Sequence, residues 1–266
     1  MTDLGWQDHF DKNRAKWNTL TPIHAASKSY DVESFKRGKC SLFHVERDEV
    51  GDVRGKKLLH LQCHFEMDTL SWARLGADVV GMDFAEEAIG LAERLATELD
   101  IPARFVCCNV YDLMEHLHEQ FDVVFTSSGV LCWLPDLKKW AETAAHFVKP
   151  GGFFYMHEFH FAAEARKGDD YFACGQPTLY EGAGTYADPD APVFTQGVEW
   201  RHTLGDIVTA LIQAGLRLEY LHEWPHCVCP FSPDMKQGPD GGWYDGERPN
   251  RFPLMFSLRA WENRDP

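Results

Sequence analysis

The segment His157-Glu158-Phe159-His160 concentrates side chains that exchange protons, and it ends an apolar run typical of a buried strand. Side chains alternate along a strand, so His157 faces one side and Glu158 and His160 face the other. Either set could orient a substrate or remove its proton. A polar strand end satisfied by hydrogen bonds is an equally consistent interpretation. We predict His157, Glu158 and His160 as candidate catalytic residues.

Asp83 ends an earlier apolar run at residues 79–82. A carboxylate in this position can accept two hydrogen bonds from a ribose diol, although it can also cap a helix. Its offset of about 20 residues from the first strand favours ribose binding. The glycine-rich turn of nucleotide folds is absent, because no glycine occurs between Gly55 and Gly76. By the glycine criterion alone, the sequence evidence for a nucleotide site is weak.

The elements that must position these residues alternate between short apolar runs and amphipathic helices from residue 57 onward, which predicts βαβ units and a mostly parallel sheet. Continuous apolar runs at 103–107 and 121–126 predict central strands covered on both faces. We predict strands at residues 58–61, 78–82, 103–107, 121–126, 153–159, 216–221 and 254–261, and helices at 68–75, 85–99, 137–147 and 203–214. Ligands of such sheets bind outside the carboxyl ends of the strands.

Two regions fall outside this alternation. Residues 1–55 are predicted to form a helical N-terminal cap on a domain that spans 56–266. An irregular insertion at about 161–200 and a Pro/Gly-rich loop at about 223–253 interrupt that domain. Long loops of this kind usually cover a binding site, so we expect the cap and the insertion to cover the substrate. Aromatic residues in these segments would line its pocket.

Composition limits the partners. Lys and Arg total 26 against 41 Asp and Glu, a formal charge of −15, which opposes nucleic acids and anionic membranes. We therefore expect a small-molecule partner, a monomer or homodimer, and, from the polar N-terminus and the lack of a long apolar run, a cytoplasmic location. The eight cysteines are scattered without the spacing of a disulfide framework or zinc site, so no metal is predicted.

Residues 58–161 as a whole resemble the core of class I S-adenosylmethionine-dependent methyltransferases. His60, Gln62, His64 and Glu66 occupy the acidic and glycine positions of that family's first motif. The runs His-Leu-Gln-Cys-His-Phe and Trp-Leu-Pro-Asp are similar to those of a bacterial subgroup of uncharacterised methyltransferases, in which glycine stands in place of Glu66. The resemblance implies an α/β Rossmann-like sheet of seven strands, mostly parallel with a terminal antiparallel strand.

The resemblance also implies a cofactor, S-adenosylmethionine, which becomes S-adenosylhomocysteine. Asp83 matches the ribose-binding acid, Phe84 packs beside the adenine, and Asn109 and Val110 meet its amine and ring. Ser127, Ser128 and Gly129 match the backbone that contacts the methionine part. The predicted cofactor-binding residues are Leu61, Gln62, Cys63, Asp83, Phe84, Asn109, Val110, Ser127, Ser128 and Trp133, and the predicted substrate-binding residues are Tyr30, Trp133 and Tyr186.

The expected function is methyl transfer to a small molecule. A sulfonium is already a good leaving group, so the protein must align the acceptor with the methyl, and a base is needed only when the acceptor loses a proton. Glu66 either crowds the methionine end of the cofactor or accepts from its ammonium. It motivates an alternative function as a non-catalytic regulatory or scaffold protein that binds the cofactor or its product. An NAD-dependent oxidoreductase is disfavoured by the absence of a Gly-x-Gly-x-x-Gly turn.

Overall fold

The structure is a computed structural model that describes residues 5–65, 67–165, 170–172 and 175–262. Glu66, the residue at issue in the first motif, lies outside the described residues. Within them, no helix is long and apolar enough to cross a membrane.

The strands form one large and two small sheets. In chain order they are β1 (Lys57–Leu61), β2 (Asp78–Asp83), β3 (Arg104–Cys107), β4 (Phe121–Thr126), β5 (Val148–Phe159), β6 (Thr178–Ala183), β7 (Phe194–Glu199), β8 (Leu216–Trp224), β9 (His226–Cys227), β10 (Lys236–Gln237), β11 (Trp243–Tyr244) and β12 (Met255–Glu262). The large sheet has the order β3-β2-β1-β4-β5-β12-β8. Among the described strands of this sheet, β12 runs opposite to the other six, because it pairs antiparallel with both β5 and β8. Strand order reverses between β1 and β4, which places the expected ligand edge at their carboxyl ends.

The helices cover both faces of this sheet. They are α1 (Gln7–Ala26), α2 (Val32–Lys36), α3 (His44–Val50), α4 (Met67–Arg74), α5 (Glu86–Glu98), α6 (Leu113–His116), α7 (Leu137–Phe147), α8 (Phe161–Ala165) and α9 (Leu204–Gln213). One core cluster joins Trp140 of α7 and Leu211 of α9 to one face of the sheet. A second joins Val50 of α3 and Trp72 of α4 to the other face.

One predicted strand lies in a different place. Residues 103–107 were expected in the middle of the sheet, and that prediction is wrong because β3 lies at its edge. Phe105 and Val106 belong to different core clusters, so the strand has apolar contacts on both faces. Its ends, Arg104 and Cys107, are exposed. An edge strand packed on two faces gives the same apolar run as a central one.

The two segments predicted as irregular carry short strands. The insertion contains α8 and an antiparallel hairpin of β6 and β7, in which Leu179 pairs with Val198. The Pro/Gly-rich loop contains a small sheet with the order β10-β11-β9. Its strands have two residues each, too few for an alternating pattern to be visible in sequence.

Helix α1 is fastened to the insertion through Asn13. The side chain is 1% exposed, donates to the carbonyl of Val198 at 2.8 Å and accepts from its N–H at 2.7 Å. Further along the helix, Asn18 accepts from the N–H of Glu87 at the start of α5. The first helix therefore joins β7 to the end of the sheet where β2 terminates.

Replacing Asn13 with alanine should lower the free energy of unfolding by about 2 kcal/mol, because two buried backbone groups of Val198 lose their partner. Urea denaturation measures this, with Lys12→Ala at an exposed position of the same helix as the control. Equal stability of the two variants would contradict the role of this contact.

Candidate active site

The turn after β1 has the backbone conformation that glycine usually supplies. Gln62 and His64 have φ angles of 55° and 52°, in the left-handed region that residues with a side chain seldom adopt. Between them, the N–H of Cys63 donates to the carbonyl of Met82 at 2.9 Å, which ties the turn to β2. The turn therefore forms although its sequence contains no glycine.

The side chains at the two left-handed positions are held by partners on opposite sides. Gln62 accepts a hydrogen bond from the indole of Trp140 at 3.2 Å. The His64 ring meets α1, with Nε2 lying 3.2 Å from Nδ1 of His24 and the ring 5.0 Å from that of Trp17. Burial lowers the pKa of His64 to about 3 and of His24 to about 4, and the charge of Lys16 adds to the lowering for His24. Both rings are neutral at pH 7, so one proton can bridge the pair.

Asp83 lies beside this turn at the carboxyl end of β2. Its carboxylate, 7% exposed, accepts from the N–H groups of His64 and Ala85, each at 2.9 Å. Burial raises the pKa of Asp83 to about 6, and these backbone donors oppose that rise. Ala85, rather than Asp83, occupies the N-cap position of α5. Each carboxylate oxygen retains a lone pair for a further donor.

The remaining predicted residues of this edge follow β3. The N–H of Cys108 donates to the carbonyl of Asp83 at 3.0 Å. The next residue, Asn109, accepts from the N–H of Tyr111 at 3.1 Å and begins a short 3-10 turn. Val110 is buried within that turn and Phe84 is half-buried. The structure thus brings the positions after β1, β2 and β3 to one edge.

The loop after β4 is organised by Glu158. Its carboxylate, 2% exposed, accepts from four backbone N–H groups at 2.5–3.2 Å, those of Gly129, Val130, Leu131 and Phe159. Burial raises the pKa of Glu158, and the four donors oppose that rise. Trp133 closes the loop by donating to the carbonyl of Gly129 at 2.8 Å. These contacts favour a positioning role for Glu158.

Ser127 and His60 link the loop after β4 to α4. The buried His60 ring lies between Oγ of Ser127 at 3.0 Å and Oγ1 of Thr69 at 2.6 Å. Burial lowers the pKa of His60 to about 3, so the ring is neutral. The next residue, Ser128, is half-buried. A neutral ring thus stands where the resemblance expects an acid.

His160 has both ring nitrogens occupied. The N–H of Ala162 donates to its Nδ1 at 3.1 Å, so the ring proton is on Nε2 and donates to Glu223 at 3.0 Å. Burial lowers the pKa of His160, while Glu223 opposes that shift. Like Glu158, this side chain holds neighbouring segments together.

His157 differs from both. It is fully buried, and its Nδ1 lies 3.3 Å from the carboxylate of Glu46 on α3. Its Nε2 has no hydrogen-bond partner among the described residues. Nδ1 therefore carries the proton toward Glu46, and Nε2 is a free acceptor. Sequence reasoning missed Glu46, because only the packing of α3 on β5 reveals the contact.

Aromatic side chains from the cap and the insertion meet above the turn. The hydroxyls of Tyr30 and Tyr186 hydrogen bond to each other. Their rings lie 5.3 and 4.7 Å from His24, and the Trp133 ring lies 5.3 Å from that of Trp17. The three residues predicted to bind substrate thus belong to one cluster around Trp17 and His24, two residues that the sequence did not indicate.

Replacing Glu158 with glutamine should lower the free energy of unfolding by about 2–3 kcal/mol, because the amide NH2 would face backbone donors. Thermal and urea unfolding measure this, with Glu142→Gln on the exposed side of α7 as the control. Wild-type stability of Glu158→Gln would show that the four hydrogen bonds do not hold the loop.

Residues 59–156 match the family described as methyltransferase domain. Over 102 residues the chain is 35% identical to a Photorhabdus laumondii protein named ubiquinone biosynthesis O-methyltransferase, covering 38% of this chain and 42% of that protein. A Rhizobium etli protein of the same name is 26% identical over 158 residues, which cover 58% of this chain and 62% of that protein. The chain spans about half the length of the curated relatives it matches.

Solved structures with the same fold cover nearly the whole chain. The DhpI–SAH complex has a TM-score of 0.58 at 15% identity and covers 97% of this chain and 98% of that one. An S-adenosylmethionine-dependent methyltransferase from Clostridium acetobutylicum has a TM-score of 0.57 at 14% identity, with coverages of 96% and 99%. The predicted seven-stranded fold and the family resemblance are confirmed. Residues 59–156 are thus similar to a methyltransferase domain, and the chain shares its fold with solved S-adenosylmethionine-dependent methyltransferases.

Proposed function

We propose that this protein transfers the methyl group of S-adenosylmethionine to a small-molecule acceptor. One observation carries the proposal: the left-handed turn at Gln62 and His64 lies against the buried carboxylate of Asp83, at the edge where strand order reverses. This arrangement brings a tight backbone turn and an acceptor for a ribose diol to one place. The family match over residues 59–156 and the names of the relatives support the same chemistry.

The residues at this edge fit the parts of the cofactor. Asp83 would accept from the ribose hydroxyls, and the amide oxygen of Asn109 has a second lone pair for the adenine amine. Phe84 and Val110 would pack on the adenine. The backbone of Leu61, Gln62 and Cys63, with the loop at Ser127 and Ser128, would hold the methionine part. When bound, the cofactor supplies an activated methyl on a sulfonium.

The acceptor would lie beyond this edge, toward the end of β5. Tyr30, Trp133 and Tyr186 would line its site, since their cluster joins the cap and the insertion. His157 would take the acceptor's proton through its free Nε2, with Glu46 holding the Nδ1 proton. Glu158 and His160 would keep the surrounding loops in place. The protein's contribution is then alignment, exclusion of water and proton removal.

Isothermal titration with S-adenosylmethionine and S-adenosylhomocysteine tests the proposal directly. Replacing Asp83 with asparagine should weaken S-adenosylhomocysteine binding by about 30-fold, or ~2 kcal/mol, because the ribose loses a charged acceptor. Asp78→Asn, at the exposed start of the same strand, is the control and should bind normally. Failure of both nucleosides to bind the folded wild type at millimolar concentration would reject the proposal.

The pH dependence of S-adenosylhomocysteine binding provides a second test of the role of Asp83. Because the pKa of Asp83 is raised to about 6, its carboxylate ionises as the pH increases through that value. Ribose hydroxyls donate more strongly to the ionised form. Affinity for S-adenosylhomocysteine should therefore increase between pH 5 and 7 in the wild type, by about tenfold at most. If the affinity of the Asp83→Asn variant depends on pH as strongly as that of the wild type, another group is responsible for the dependence.

Turnover separates an enzyme from a protein that only binds the cofactor. Incubation with S-adenosylmethionine and a broad panel of small acceptors should release S-adenosylhomocysteine above background. If His157 is the base, the His157→Asn variant should bind the cofactor as well as the wild type does. Its rate of S-adenosylhomocysteine release should be lower by about 100-fold or more. Binding without release for every acceptor would favour the regulatory alternative.

A further inference from the structure

A chain of three polar side chains ends at the loop after β4. The ring of His60 on β1 lies between Thr69 of α4 and Ser127, the residue that directly follows β4. Its Nδ1 is 2.6 Å from Oγ1 of Thr69, and its Nε2 is 3.0 Å from Oγ of Ser127. His60 and Thr69 are both 0% exposed, whereas Ser127 is half-buried. The chain therefore leads from the interior to a partly accessible hydroxyl.

The hydrogen bonds of this chain have a definite direction. Burial lowers the pKa of His60 to about 3, so the ring carries a single proton at pH 7. Among the described residues, the Thr69 hydroxyl has no acceptor other than Nδ1 of His60, and a buried donor without an acceptor is costly. Thr69 therefore donates to Nδ1, and the ring proton lies on Nε2 and is donated to Oγ of Ser127. The proton of the Ser127 hydroxyl is then available to a ligand.

Ser127 lies where the sheet is expected to bind its ligand. His60 of β1 pairs with Phe125 of β4, and strand order reverses between these two strands. Ser127 is two residues beyond Phe125, so its hydroxyl lies at the carboxyl ends of the strands. The proposed function assigns this loop to the methionine part of the cofactor. That part carries two charged groups, an ammonium and a carboxylate.

The direction of the chain decides which of these groups the hydroxyl complements. A hydroxyl that accepts from Nε2 and keeps its own proton can donate to a carboxylate, which only accepts. An acid in place of His60 would instead accept the Ser127 proton, so that only oxygen lone pairs would face the ligand. That arrangement would suit an ammonium. The neutral ring of His60 also lacks the negative charge that would attract one.

We propose that the Ser127 hydroxyl binds the carboxylate of the cofactor's methionine part, and that His60 is a positioning residue that directs this hydroxyl toward the ligand. Thr69 contributes by fixing which nitrogen of the His60 ring carries the proton. This inference rests on the proposed function. It adds a specificity to that function: the site distinguishes nucleosides by their carboxylate through a chain of neutral groups.

Three nucleosides separate the two charged groups. S-adenosylhomocysteine carries both, S-adenosyl-4-thiobutyrate keeps only the carboxylate, and S-adenosyl-3-thiopropylamine keeps only the ammonium. Calorimetry with the wild-type protein measures the affinity for each. We expect S-adenosylhomocysteine to bind at least about tenfold more tightly than the thiopropylamine, because the amine leaves the Ser127 hydroxyl without its charged acceptor.

Replacing Ser127 with alanine should remove this preference. Affinity for the two nucleosides with a carboxylate should decrease about tenfold, and affinity for the thiopropylamine should stay within about twofold. Thr97→Ala, which removes a hydroxyl on the exposed side of α5, is the matched control and should bind all three as wild type does. A purely structural role of Ser127 would weaken all three nucleosides alike.

Two variants of His60 test its positioning role. His60→Gln supplies an amide that can accept from Thr69 and donate to Ser127, so it should keep most of the preference for the carboxylate. His60→Glu should accept the Ser127 proton instead. It should therefore weaken S-adenosylhomocysteine about tenfold relative to the thiopropylamine, as Ser127→Ala does.

The proton of the His60 ring can be located without any cofactor. Nitrogen-15 NMR of protein labelled in its histidine side chains distinguishes a ring nitrogen that carries a proton from one that does not. The signals of His60 are identified by their loss in His60→Gln. We expect the proton on Nε2 and a free lone pair on Nδ1.

Three results would overturn the inference: a His60 proton on Nδ1, equal affinity of the wild type for S-adenosylhomocysteine and the thiopropylamine, or an equal loss of all three nucleosides in Ser127→Ala. Failure of all three nucleosides to bind the folded wild type is a different outcome, because it would reject the proposed function itself.

Discussion

The candidate site depends on a turn that holds left-handed backbone without glycine. Each non-glycine residue in that region costs about 1 kcal/mol, and the turn after β1 contains two of them, Gln62 and His64. The hydrogen bond from Trp140 and the contact with His24 hold their side chains on opposite sides. Asp83 then accepts from the N–H of the second residue, which fixes the carboxylate relative to the turn. The shape of the ligand edge therefore rests on tertiary contacts instead of on local flexibility.

The N-terminal helices contribute to the site from three directions. His24 of α1 supports the turn after β1, Glu46 of α3 orients His157, and Tyr30 meets Tyr186 of the insertion. Asn13 joins the same region to β7. A segment expected only to cover the substrate is thus in contact with the proposed cofactor edge and with the proposed base. Binding of a cofactor and of an acceptor would be coupled through it, since both would contact residues that it holds.

The sequence predicted the architecture well, because the apolar periodicity of β4 and α7 is set by local packing and gave their bounds as observed. It failed for β3, whose edge position depends on topology. Asp83 and His157 could be found from their places near the ends of predicted strands, and the structure puts both in the carboxyl-terminal parts of their strands. Glu46 could not, since its contact with His157 depends on the packing of α3 on β5. The roles of Glu158 and His160 likewise depended on backbone donors that only the folded loops bring near them.

The two hydrogen bonds between Asn13 and Val198 join residues that are 185 positions apart in the chain. Contacts of such large sequence separation carry a high loop-closure entropy and tend to form after local pairings. The strands β1 to β4 can pair before the insertion is synthesised, whereas α1 finds its partner only once β7 exists. During synthesis at the ribosome, the proposed cofactor edge would thus be assembled first and remain accessible until the hairpin of β6 and β7 emerges.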